Sequence, residues 1–427
     1  MNDIKIPDKN ETITFSIITP TKNRSEVLPL SIGSVLSQHY QNWELILVDN
    51  SGDTRTADFM RQYNDPRIHY VKTGGLSLQE NWEEGYKHAH GEYTLLLRDK
   101  DLLIDGALDV LAKMIDRYEH PEIVSWKHTI MHLVSGFIEQ KRKCTIESVS
   151  TTELLQDIYS FEWLKFDLLA PQTSIMRMSL IKKLHSSPPN KLWYGAMGDV
   201  VIRYRTLLCN PKGLYYISVP LSVTLWPFDA TGNSIGKNKK TDEYLRLEGL
   251  VFEDLFKYVP IKHLSLLNVR YNDLLKYDTE CEDGKLREKL NWDNYYRREA
   301  TSYWKVVREY GFGSPEEQEF RQNIMRYHPE FFETYVYPPW YEYVVGRLLK
   351  NHLVHFGRVK DTLIRAVHDP MPLQKRMSMI KLAILQTFRD DKRLIPFYSR
   401  HARKHIPIHG HICETLKYVY EENVSIR

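Results

Sequence analysis

The stretch WELILVDNSGD, residues 43–53, decides how this chain folds. Its first six residues are apolar apart from Glu44, and it ends on Asp49 ahead of a turn-forming Asn-Ser-Gly. A short apolar run without alternation is the pattern of a strand covered on both faces, as in a parallel sheet. Before it, TITFSIITP (12–20) is a second β-branched run, and EVLPLSIGSVLSQ (26–38) spaces Leu28, Ile32, Val35 and Leu36 as one helical face. After it come a helical ADFMRQY (57–63), a strand RIHYVKT (67–73) and a helix LQENWEEGYKHA (78–89). Ser77 and Glu80 have the spacing of a capping box for that helix. YTLLL (93–97) is the fourth strand, and DGALDVLAKMIDRY (105–118) reads as a helix capped by Asp105.

Strands alternating with helices imply an α/β fold, a mostly parallel sheet joined by right-handed crossovers and flanked by helices. Ligands of such sheets bind beyond the carboxyl ends of the strands. Four polar loops fall there: TPTKNR (19–24), DNSGD (49–53), KTGG (72–75) and RDKD (98–101). They carry Asp49, Asp99 and Asp101 beside Lys22, Arg24, Lys72 and Arg98. No P-loop and no GxGxxG follows the first strand, which disfavours an ATPase or a dinucleotide oxidoreductase. A lone carboxylate suits a base N–H or a ribose hydroxyl. Two carboxylates one residue apart, Asp99 and Asp101, suit a Mg²⁺ or Mn²⁺ ion bridging a diphosphate.

These segments resemble the inverting glycosyltransferases of family 2, with a GT-A fold. FSIITPTKNR (15–24) is similar to the family's opening strand and nucleotide loop. WELILVDNSGD is similar to its second strand, and GGLSLQENWEEGYKHAHGEYTLLLRDKDLL (74–103) to its run from a glycine turn to DxD. APQTSIMRMSLIKKL (170–184) and GDVVIRYRTLLCNPKGLYYISVPLS (198–222) resemble the acceptor-side segment and the helix that carries the base. The likeness covers residues 12–235.

The resemblance implies a nucleotide-diphosphate sugar donor, UDP-linked, held by Thr19, Pro20, Thr21, Asn23, Arg24, Asp49, Gly75, Arg98 and Asp99. It implies a divalent cation, Mn²⁺ or Mg²⁺, on Asp99 and Asp101, and Asp199 as the catalytic base. Trp193 and Tyr194 are candidates for stacking on the acceptor sugar. The implied acceptor is a glycan or lipid-linked glycan, as in surface polysaccharide synthesis. There are departures. Arg98 stands where many members carry an acid, Lys100 stands between the two remaining acids, and Gly198 precedes Asp199 where an acidic pair is usual. LWPFDATGNS (225–234) replaces the usual R-x-H. The alternative reading is a nucleotide- or glycan-binding module or scaffold that kept the fold and lost turnover.

At 427 residues the chain exceeds one ordinary core, and the expected domains are 1–238, catalytic, and 239–427, helical. TDEYLRLEGLVFEDLFKYV (241–259), NWDNYYRREATSYWKVVREYG (291–311) and PEEQEFRQNIMRYHPEFFETY (315–335) read as amphipathic helices. Residues 340–427 hold 16 Lys and Arg against eight Asp and Glu, which is +8 and leaves −5 for the rest of a chain whose net charge is +3. QKRMSMIKLAILQTFRDDKR (374–393) gathers Met377, Ile380, Ile384 and Phe388 on one face. An anionic membrane surface is the expected partner of this tail, with a second copy of the chain as the competing one. Nucleic acid is not expected, because no recognition motif accompanies the charge. No apolar run reaches the roughly 18 residues of a membrane span, and the N-terminus reads as no signal segment. Four scattered cysteines read as reduced thiols. The expected location is cytoplasmic, peripheral at the inner membrane face.

Overall fold

The computed structural model describes residues 13–132, 144–163, 165–226 and 239–334. The first half follows the alternation: β1 (Phe15–Thr21), α1 (Leu28–Leu36), β2 (Trp43–Asp49), α2 (Arg55–Met60), β3 (Ile68–Lys72), α3 (Leu78–Lys87) and β4 (Tyr93–Leu96). Then come β5 (Asp101–Leu103), α4 (Ala107–Arg117), β6 (Ile123–Trp126), β7 (Ile130–His132), β8 (Ile146–Val149) and α5 (Thr151–Tyr159). The sheet region closes with β9 (Ser174–Arg177), α6 (Met178–Ser186), α7 (Gly198–Cys209), β10 (Leu214–Ile217) and β11 (Ser222–Trp226).

Eight strands form one sheet in the order β3-β2-β1-β4-β9-β6-β10-β8. All but β9 and β8 run parallel to one another. This is the α/β architecture that the alternation implied. Every residue of β1, and all of β2 except Glu44, is buried, which is why these strands read as apolar runs. Each aliphatic side chain so buried contributes about 1.5–3 kcal/mol relative to exposure. Helix α3 begins in the expected capping box, Ser77 accepting from Glu80 N and Glu80 accepting from Ser77 N. It lies so close to the sheet that a Cβ on Gly85 would stand 2.3 Å from Ile18 Cγ2. The expected Asp105 cap is absent. Helix α4 starts after Gly106, at φ 73°, with no side-chain cap, so the turn is set by backbone conformation instead.

β5, β11 and β7 form a separate three-stranded sheet, with Thr224 opposite Asp101. The chain changes sheets at the RDKD turn. Leu97 N still donates to Ile18 O (2.9 Å) in the main sheet, and Leu225 N already donates to Lys100 O (2.9 Å) in the small one.

Two compact units divide the described residues. The first comprises 13–260 and 266–291, so it includes α8 (Lys239–Leu247), α9 (Leu266–Cys281) and α10 (Leu286–Lys289) with the sheets. The second comprises 261–265 and 292–334, with α11 (Trp292–Ala300), α12 (Tyr303–Tyr310), α13 (Pro315–Tyr327) and α14 (Phe331–Thr334). The helical character expected beyond 239 is present in the described residues 239–334. In the second unit Glu317, 1% exposed, accepts from Tyr303 Oη (2.5 Å), Arg321 Nε (2.9 Å) and Gly313 N (3.0 Å), tying α12 to α13. Among the described residues no helix is long and apolar enough to cross a membrane. The basic tail and its amphipathic stretch near 374–389 lie outside the described residues.

Candidate active site

Parallel pairing puts Thr21, Asp49 and Lys72 in one row at the carboxyl ends of β1, β2 and β3. Asp49 is fully buried. Its Oδ2 accepts from Tyr70 Oη (2.7 Å) and Lys72 Nζ (3.0 Å), and its Oδ1 from Ser51 N (2.9 Å). Burial alone would raise this carboxyl, but the hydrogen bonds from Ser51, Tyr70 and Lys72 outweigh it and hold the pKa below the ordinary carboxylate value. Tyr70 is correspondingly raised, by burial and by the carboxylate. Asn23, at φ 56°, stitches the first two loops together. Its N–H donates to Ser51 Oγ (2.7 Å), and its Oδ1 accepts from Gly52 N (3.2 Å). Gly75 forms an exposed turn beyond β3. Thr19 and Pro20 lie inside β1 and are buried, so they shape the loop from beneath.

The RDKD turn folds back onto this row. Asp99 accepts from Thr21 Oγ1 (3.1 Å) and Arg24 Nη1 (3.0 Å), joining the fourth loop to the first. Asp101 faces the other way. Its Oδ2 accepts from Arg98 Nε (2.6 Å) and Arg98 N (3.3 Å), and its Oδ1 from Arg98 Nη2 (2.9 Å) and Thr224 Oγ1 (2.7 Å). Arg98 also donates to Thr224 Oγ1 (3.0 Å). Lys100, between them, is only 5% exposed, and its ammonium has no hydrogen bond or ion pair among the described residues. Burial, with the nearby Arg98 charge, pushes its pKa down to about 8.

A divalent cation is what the D-x-D spacing implies, and these residues do not fit one shared by the two acids. A carboxylate offers about four lone-pair sites, and Asp101 already accepts four hydrogen bonds at 2% exposure. Asp99 has acceptor capacity left, but stands alone. Among the described residues no three His, Cys, Asp or Glu side chains gather as a ligand set.

Asp199 sits in the first turn of α7, with its Oδ2 accepting from Arg203 Nη2 (2.9 Å) one turn on. Its charge reaches Arg98, which also feels Asp101 and Asp99, so the three acids share one guanidinium's surroundings. The loop before Asp199 is held from three sides. Gln79 Nε2 donates to Gly195 O (2.6 Å), Tyr244 Oη to Ala196 O (2.6 Å), and Asp273 Oδ2 accepts from Met197 N (2.5 Å). A Cβ on Gly198 would stand 2.5 Å from Gln79 Oε1 and 3.1 Å from Trp193 Cβ, so a side chain before Asp199 would have to displace the end of Gln79. Trp193 is 1% exposed, edge-on to Trp82 (4.8 Å) and tilted against Tyr86 (6.2 Å), which makes it core and not an open stacking face. Tyr194 is half-buried and donates to Glu280.

The sequence reading missed Tyr70, Arg203, Thr224, Gln79, Tyr244 and Asp273. Tyr70 was within reach, two residues before Lys72 and so on the same strand face. Arg203 was too, four residues after Asp199 on one helix.

Residues 16–164 match the family model described as Glycosyl transferase family 2. These residues belong to that family. Within the match lie the four loops and both acids of the RDKD turn. A GalNAc(5)-diNAcBac-PP-undecaprenol beta-1,3-glucosyltransferase of Campylobacter jejuni is 34% identical over 111 residues, 25% of this chain and 36% of that protein. The UDP-Glc:alpha-D-GlcNAc-diphosphoundecaprenol beta-1,3-glucosyltransferase WfgD of Escherichia coli is 31% identical over 105 residues, 23% of this chain and 40% of that protein. The match thus spans well under half the length of these relatives. A solved structure of S. aureus TarS 1-349 in complex with UDP-GlcNAc aligns at a TM-score of 0.46 and 14% identity, over 76% of this chain and 93% of that one.

Proposed function

We propose that this protein is an inverting glycosyltransferase that takes a sugar from a UDP-linked donor to a hydroxyl of a glycan or lipid-linked glycan acceptor. The observation that carries the proposal is the convergence of the Thr21–Asp49–Lys72 row, the Asp99 turn and Asp199 around Arg24 and Arg98. Nucleotide atoms lie over the first three loops, with Asp49 and its Lys72 and Tyr70 partners beside the base and ribose. The diphosphate lies towards Arg24 and the RDKD turn. Asp199 accepts the proton of the acceptor hydroxyl as its oxygen bonds to the anomeric carbon and the bond to the diphosphate oxygen breaks. Attack opposite the leaving group inverts the centre. A base in this role lies within hydrogen-bond reach of the hydroxyl it deprotonates.

The diphosphoundecaprenol acceptors in the names of the two relatives support a lipid-linked acceptor here, and with it a place at the inner membrane face. The +8 charge of residues 340–427 supports the same location, because each Lys or Arg near an anionic leaflet contributes about 1 kcal/mol. The test is transfer from a panel of labelled UDP-sugars to polyprenyl-diphosphate-linked glycans, with product stereochemistry read by NMR. A product of inverted configuration from one UDP-sugar supports the reading. Binding of UDP-sugars with neither transfer nor hydrolysis would contradict it and favour a binding module.

A further inference from the structure

Three acids of the site each have their own arginine. Asp99 pairs with Arg24 at 3.0 Å, Asp101 with Arg98 at 2.6 Å and Asp199 with Arg203 at 2.9 Å. Lys100 has no such partner, yet it is among the most buried cations of the first unit, at 5% exposure. Burial and the charge of Arg98 oppose its ammonium, and the charges of Asp101 and Asp99 offset this only in part, without a hydrogen bond or ion pair to either. The turn that holds it is meanwhile unsuited to a divalent cation. Asp101 is saturated, and Arg24, Arg98 and Lys100 outnumber Asp99 and Asp101. An anionic ligand removes both difficulties at once.

We propose that Lys100 is a donor-binding residue that, with Arg24 and Arg98 beside it, supplies the positive charge at the sugar-nucleotide diphosphate in place of a divalent cation. The inference rests on the reading of this edge as a nucleotide-diphosphate site. Lys is a compact point charge and suits a diphosphate whose orientation is fixed by other contacts. Arg98 keeps Asp101 occupied, so the turn holds its shape without a metal.

The experiment measures UDP binding by calorimetry and the melting temperature of the full chain, in EDTA and in MnCl₂, for wild type, Lys100→Met and Lys100→Gln. UDP is expected to bind wild type with the same affinity, within about twofold, in both buffers. Replacing a largely buried cation that makes no hydrogen bond or ion pair by an apolar side chain of similar volume relieves the folded state. Lys100→Met is therefore expected to melt higher than wild type without ligand, while its UDP affinity falls at least tenfold in EDTA. Lys100→Gln is expected to lose affinity to the same extent. UDP binding that requires Mn²⁺ would overturn the inference and leave the nucleotide-site reading standing. Unchanged UDP affinity in both variants would overturn the role of Lys100. A lower melting temperature for both variants with wild-type affinity would make Lys100 a structural residue. Failure of UDP, GDP, CDP and dTDP to bind in either buffer would overturn the underlying reading of the site.

Discussion

The two ends of the site treat charge differently. At the β2–β3 end, Asp49 is surrounded by Tyr70, Lys72 and Ser51, and every charge there has a partner in the folded chain. At the β4 end, the acids are likewise paired, but the Lys100 side chain is buried and its ammonium makes no hydrogen bond or ion pair among the described residues. The closed network has the properties of a preformed wall, whereas the other end carries a charge that the acids beside it offset in part and that the proposed diphosphate would match. A base and ribose need shape and a few hydrogen bonds, and a diphosphate needs charge. The polarity of the site follows from that contrast.

The sharpest way to break the contrast is Asp199→Asn, which keeps the shape and removes the basicity. Transfer is expected to fall by about 10²–10⁴, measured as initial rate at saturating donor, with UDP affinity within about twofold of wild type. Equal loss of affinity would move Asp199 into the nucleotide pocket. A smaller effect is expected from Asp49→Ala, which opens the wall and leaves Tyr70 and Lys72 facing an empty space. Lys72 is 40% exposed at its side chain, so solvent absorbs part of the loss. The expected destabilisation is about 1–3 kcal/mol in chemical denaturation, with UDP affinity reduced about tenfold. Unchanged stability would show the network to be dispensable.

Gly198→Ala probes the loop before the base. The new Cβ meets Gln79 Oε1 at 2.5 Å, and overpacking of this kind costs about 1–3 kcal/mol. Transfer is expected to fall about tenfold, and Gln79→Ser in the same chain to restore most of it, because the two positions share one space. Additive losses would separate them. The smallest expected effect is on pH. Burial pushes the Asp273 carboxyl up to about 7, against the pull of Met197 N–H, Asn272 and Lys276. A raised folded pKa means that the folded state holds the proton longer than the unfolded one. The associated stability is present below the unfolded value of 3.8 and is lost as pH rises to about 7. Denaturation midpoints are expected to fall across that window for wild type and to fall less for Asp273→Asn. A steeper fall in the variant would reverse the sign.

The parallel half of the sheet was readable because strands covered on both faces become apolar runs, and because the Ser77 and Glu80 capping box is local. The four loops followed from strand direction alone. What stayed hidden depends on contacts remote in sequence. Asp101 looks like half of a metal site until Thr224, 123 residues away, arrives on β11 and completes its hydrogen bonding with Arg98. The small sheet that brings them together has strands of only three to five residues, too short to carry a periodicity. Gly198 looks like a lost acid until Gln79 is seen occupying the space of its Cβ. Trp193 could not be told from an exposed aromatic before Trp82 and Tyr86 covered it. Asp105 was assigned a cap that the backbone of Gly106 makes unnecessary.

Hydrogen–deuterium exchange with saturating UDP tests the central claim most directly, since ligand contact slows exchange in the segments it orders. Protection confined to residues 19–24, 49–53, 72–75 and 98–101 is the result this account predicts. Protection elsewhere in the chain, with these four loops exchanging as they do without ligand, would contradict it.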